Sequence, residues 1–75
     1  MSELKIVFRH TDEILEFVNV VQNFPYNMDM KHGNITVDAK SLLGLMNLGL
    51  QRECELKVYE ENCDDLKAAV QRFAA

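Results

Sequence analysis

Apolar residues recur in this chain at two spacings, every second residue and every third to fourth, and the two patterns take turns along its length. A period of two belongs to strands and a period of 3.6 to helices, so the alternation writes out an element order. Across residues 4–9, Leu4, Ile6 and Phe8 fall on one side and Lys5, Val7 and Arg9 on the other, which predicts a strand. Thr11 then offers a helix-capping hydroxyl, and Asp12 and Glu13 put acid in the first turn, where the helix dipole favours it. Ile14, Phe17, Val18 and Val21 recur at i, i+3, i+4 and i+7, one face of a helix that Asn23 and Pro25 end.

Tyr26, Met28 and Met30 alternate with Asn27, Asp29 and Lys31, a second strand. His32-Gly33-Asn34 reads as a turn, because glycine and asparagine tolerate positive φ, and Ile35 and Val37 carry a third strand out of that hairpin. Ser41 caps a short helix from Leu42 to about Leu48, with Gly49 just past its end. Cys54, Leu56 and Val58 alternate with Glu53, Glu55 and Lys57 in a fourth strand. Asn62 is the cap candidate for a last helix whose apolar stripe is Leu66, Ala69, Val70 and Phe73. The order is βαββαβα. One-sided alternation in every strand implies a sheet covered on one face and wet on the other, hence an α+β two-layer sandwich.

The 75 residues leave room for one hydrophobic core, so residues 1–75 are expected to form a single domain. The 8 basic and 12 acidic side chains give a net charge of −4. Without a basic stripe, the chain is unsuited to gripping a nucleic-acid backbone. No apolar run is long enough for a membrane span, and Met1–Lys5 lacks the opening of a signal peptide. A complete, cytoplasmic chain is therefore expected, with Cys54 and Cys63 as reduced thiols. His10, His32 and the two cysteines have no metal-ligand spacing, and no cofactor motif occurs, so neither metal nor cofactor is expected.

Residues 37–50 carry a more specific signal: Ala39-Lys40-Ser41-Leu42 followed by Gly44, Met46 and Leu48-Gly49, at a strand–helix junction. This segment, together with the element order, resembles HPr, the histidine-containing phosphocarrier family of the bacterial phosphoenolpyruvate:sugar phosphotransferase system. The resemblance spans the whole chain, which is shorter than usual members. It implies an open-faced sandwich of four antiparallel strands with three helices on one face.

The family carries phosphate on a histidine opening its first helix, in a pattern close to Gly-Leu-His-[Ser/Thr]-Arg-Pro. By that resemblance His10, followed by Thr11, is the phosphoryl acceptor. The pattern then departs, because Asp12 and Glu13 stand where the family has Arg and Pro, and Phe8-Arg9 replaces Gly-Leu. Two carboxylates there oppose a phosphoryl dianion by about 1 kcal/mol or more apiece. Arg9 is the adjacent guanidinium that could substitute for the missing one. A divergent member, weak or inactive in histidine phosphoryl transfer, is the expectation, with active carriage on His10 as the alternative.

Ser41 matches the regulatory serine that, in the low-GC Gram-positive branch of the family, HPr kinase phosphorylates to recruit a regulator of carbon catabolite repression. Its plain structural role is a helix cap worth about 0.5–2 kcal/mol. Leu42, Leu43, Leu45, Met46, Leu48 and Leu50 cover more than one face of a two-turn helix, so so small a core cannot hide them all. Leu42, Leu43 and Met46 are expected on the outside. By resemblance this helix docks phosphotransferase-system proteins, and the alternatives are packing under a loop or a homodimer. The function expected is thus regulatory or accessory, through protein contacts; a small self-associating domain outside the pathway is the other alternative.

Overall fold

The computed structural model describes residues 1–75. It runs β1 (Ser2–Ile6), α1 (Thr11–Val21), β2 (Met28–His32), β3 (Ile35–Asp38), α2 (Leu42–Leu48), β4 (Cys54–Val58) and α3 (Asp64–Ala69), then a 3-10 turn over Gln71–Phe73. The strands form one antiparallel sheet in the order β1-β4-β2-β3. The last strand in sequence therefore fills the space between the first two. This is the α+β open-faced sandwich that the periodicity predicts.

Ile6, Met28, Met30, Cys54, Leu56 and Val58 point to the covered face and are buried. On the open face the register sets charges in rows: Lys5, Glu55 and Lys31 in one, Glu3, Lys57 and Asp29 in the next. Within these rows neighbouring charges are opposite in sign, although Asp29 also faces Asp38 on β3, and opposite-charge cross-strand pairs contribute a few tenths of a kcal/mol or more each. Phe8, Phe17 and Phe73 meet edge-to-face, at 5.2 Å for Phe8–Phe17, 6.3 Å for Phe8–Phe73 and 5.4 Å for Phe17–Phe73, tying the segment after β1, α1 and the C-terminal turn into one core.

Several boundaries differ from the sequence reading. β1 stops at Ile6 rather than Arg9. The Val7 N–H donates to Phe73 O, the Ala75 N–H donates to Lys5 O, and Ile6 bridges Ala74, so the C-terminal residues pair along the end of the strand. Phe8 stays buried beyond the ladder, and alternation there reports burial rather than sheet. β2 opens at Met28, not Tyr26, with Asn27 O accepting one further bond from the Tyr59 N–H. The caps of α1 and α3 are His10 and Cys63, not Thr11 and Asn62. The last helix ends at Ala69, and the chain tightens into the 3-10 turn that delivers Phe73 to the core.

Candidate functional site

The chain leaves β1 through Val7–Arg9 and enters α1 at His10. His10 takes the extended cap conformation, φ −139° and ψ 156°, is exposed, and makes no capping bond with its side chain. Its ring is thus left to solvent. Glu13 does the reaching instead: its Oε1 accepts the Arg9 N–H at 2.8 Å and lies 4.0 Å from Arg9 Nη1. This is the back-reaching half of a capping box, displaced by one residue. Arg9 Nη2 also donates to Ala74 O at 3.5 Å, so the guanidinium stands between Glu13 and the C-terminal segment. Asp12 is exposed in the same turn.

Two residues before His10, Phe8 O accepts the Gln51 N–H at 2.6 Å. Gln51 holds φ at 58°, a left-handed conformation that a non-glycine residue adopts at some cost. That bond fastens the chain leaving α2 to the chain entering α1, so the exposed Leu50 lies next to the His10 segment.

The sequence places Ser41 at the cap of α2, and the structure shows why the helix starts there. Ser41 Oγ accepts the Gly44 N–H at 3.1 Å, Ser41 O accepts the Leu45 N–H, and the Ser41 N–H donates to Asp38 O. Gly44 lets α2 lie close on β3, since a Cβ there would meet Val37 Cβ at 3.0 Å. Leu45 and Leu48 sink into the core. Leu42, Leu43 and Met46 face outward, 38%, 77% and 49% exposed. Leu50 is 40% exposed and extends that apolar patch, as sequence reasoning did not specify.

The register sets His10 and Ser41 at opposite ends of the sheet. Ile6 and Cys54 close the end that leads to His10, whereas Met28, Val58 and Asp38 close the end from which α2 departs. At that second end lies a cleft of about 250 Å³ lined by Tyr26, Asn27, Met28, Asp29, Asp38, Lys40 and Tyr59. Three segments distant in sequence build it, so no local pattern announces it. Its polar groups are largely partnered. Tyr26 Oη donates to Asp65 at 3.0 and 3.2 Å, Tyr59 Oη to Asp29 at 2.8 Å, and Lys40 Nζ to Phe24 O at 2.7 Å. The hydrogen bonds to those carboxylates, with lesser help from desolvation and charge, raise both phenols above their ordinary range near 10.

The remaining candidate ligands stand apart. His32 Nδ1 pairs with Glu53 O, no three of the His, Cys, Asp and Glu side chains gather as a metal cage, and both cysteines are buried and unpaired. Burial raises the Cys54 thiol pKa, the nearby Arg52 opposing the shift. No helix is long and apolar enough to cross a membrane.

Comparison with known proteins bears on the same region. A family model described as the PTS HPr component phosphorylation site matches residues 9–75, a span that contains both His10 and Ser41. No curated protein matches the chain in sequence. Among solved structures, the chain is similar to HPr-C-His from Thermoanaerobacter tengcongensis, with a TM-score of 0.81 and 22% identity over 99% of this chain and 91% of that one. It is similar to a histidine-containing phosphocarrier protein from Mycoplasma at a TM-score of 0.78 and 11% identity, over 96% and 90% of the two chains. The phosphocarrier protein HPr of Bacillus anthracis matches at a TM-score of 0.77 and 16% identity, over 99% and 96%.

Proposed function

The chain belongs to the HPr family of the sugar phosphotransferase system, and from that premise we propose that it acts chiefly by binding other proteins of the system, as a regulatory or accessory member. The observation that supports this most is the α2 surface: Leu42, Leu43, Met46 and Leu50 stand exposed together on a chain of only 75 residues. Apolar side chains clustered on a small protein favour a partner that covers them. Met46 adds a flexible, polarisable contact. In this reading phosphoryl carriage by His10 is weak, because Asp12 and Glu13 bring two negative charges to the turn that would face the dianion. Ser41 is the switch in the same reading. Its oxygen already accepts the Gly44 N–H, and a phosphate oxygen could take over that bond while adding charge beside the docking surface. The site of action is the cytoplasm, HPr kinase and a transcriptional regulator are candidate partners at Ser41, and no cofactor is invoked.

One observation favours the second reading, active carriage. His10 is exposed, its ring makes no capping bond, and Arg9 stands beside it. Incubation with phosphoenolpyruvate and the general phosphotransferase enzyme separates the two. Trace acid-labile phosphate on His10, with retained binding to that enzyme, is the expected result. Full stoichiometric labelling that disappears in His10→Ala establishes the carrier instead. A dimer in sedimentation, with no binding to any protein of the system, would leave only self-association.

A further inference from the structure

Resting on the reading of His10 as a weak acceptor, we infer that Glu13 is an internal competitor for the positive groups beside His10, and that it, rather than Asp12, limits phosphoryl acceptance. Two separate contacts carry this. Glu13 Oε1 occupies the Arg9 backbone N–H at 2.8 Å, and the same oxygen is the nearest carboxylate to the Arg9 guanidinium, at 4.0 Å from Nη1. The guanidinium is drawn further toward the C-terminal segment by Ala74 O. The backbone donor that flanks His10 on its N-terminal side is therefore already bonded to a group of the same charge sign as phosphate, and that group also lies within ion-pair range of the Arg9 guanidinium. Asp12 is exposed, and its carboxylate takes no part in these contacts.

Acceptance requires the lone pair of the unprotonated ring nitrogen of His10 to form a new N–P bond. The N–P bond of the donor's phosphohistidine breaks as it forms, and that electron pair returns to the donor ring. The phosphoryl group arrives with its negative charge. It must either displace Glu13 from Arg9 or settle near a carboxylate of like charge without the Arg9 N–H that Glu13 holds, and both outcomes disfavour the phosphorylated form. Glu13 is thus a positioning residue: it acts through Arg9 and through charge, not on the reacting atoms.

The test compares the whole protein with Glu13→Gln, Glu13→Ala and Asp12→Asn, each phosphorylated by phosphoenolpyruvate and the general enzyme. Glutamine keeps an acceptor for the Arg9 N–H and removes the charge, so the fold and its melting temperature should hold. Glu13→Gln is expected to raise the phosphorylated fraction on the order of tenfold at low salt. The gain should shrink as salt screens the charge, which a merely structural role would not produce. Glu13→Ala, which also frees the guanidinium, should gain at least as much, and Asp12→Asn clearly less. Equal labelling of wild type and Glu13→Gln, or a larger gain from Asp12→Asn, overturns the inference. Strong labelling of the wild type overturns instead the reading on which it rests.

Discussion

Replacing Ser41 with alanine separates its two roles. The change removes one bond, from the Gly44 N–H to Ser41 Oγ at 3.1 Å. The bond from the Leu45 N–H to Ser41 O is made by the backbone and survives. Because α2 spans only Leu42–Leu48, few other intrahelical bonds share the load. The close seating of Gly44 on Val37 also leaves the first turn little room to adjust. A lost cap of this kind costs about 1 kcal/mol. For a domain of this size that lowers the melting temperature by roughly 4–8 °C. Ser41→Asp keeps an oxygen acceptor at the same place and should stay within a few tenths of a kcal/mol of wild type. Thermal melts and urea titrations with unchanged slope check both values. An alanine variant as stable as wild type would refute the capping role. An aspartate variant as damaged as the alanine one would show that the position rejects an anion, and a phosphate switch there would lose its basis.

Gly44→Ala should destabilise the protein by about 1 kcal/mol, because the strain of a methyl group 3.0 Å from Val37 Cβ outweighs the gain in helix propensity. A double-mutant cycle with Val37→Gly, which removes the Cβ that the new methyl meets, should be non-additive, and additivity would remove the contact as the cause. In a tyrosinate absorbance titration, both phenols should ionise above pH 10, chiefly because of their hydrogen bonds to Asp65 and Asp29. A raised folded pKa means the stabilisation is present below pH 10 and lost as pH rises through the folded titration. Asp65→Asn should bring Tyr26 down and leave Tyr59 in place. Alkylation of Cys54 should be slow in the native protein and fast in urea, since the thiol is buried and its pKa raised by that burial. Rapid native labelling would contradict its place in the core.

The periodic elements were legible because each sets its burial pattern locally. Ile14, Phe17, Val18 and Val21 are the buried stripe of α1, and Leu45 and Leu48 are the inward side of α2, leaving the other apolar residues outside. What escaped the sequence depends on distant partners. β1 ends at Ile6 because its ladder with β4 ends at Cys54, and the C-terminal residues that pair along its other edge are equally distant in sequence, so nothing near Phe8 announces either. Thr11 lost the cap position to His10 because Glu13 reaches back to Arg9, a contact that two acids in a first turn only hint at. Cys63 displaced Asn62 because a core position and a cap coincide there: Cys63 is fully buried. The departures Asp12 and Glu13 are visible in sequence, but only the fold distinguishes the engaged carboxylate from the exposed one.

The claim that this chain works through the outward face of α2 is tested most directly by titrating the isotope-labelled protein with the general phosphotransferase enzyme and following backbone amide resonances. The account predicts shifts centred on Leu42, Leu43, Met46 and Leu50 and spreading to Gln51 and His10. It also predicts that Leu43→Ser abolishes them without lowering stability, since Leu43 is 77% exposed. Shifts confined to the open face of the sheet, or binding that survives Leu43→Ser unchanged, would contradict it.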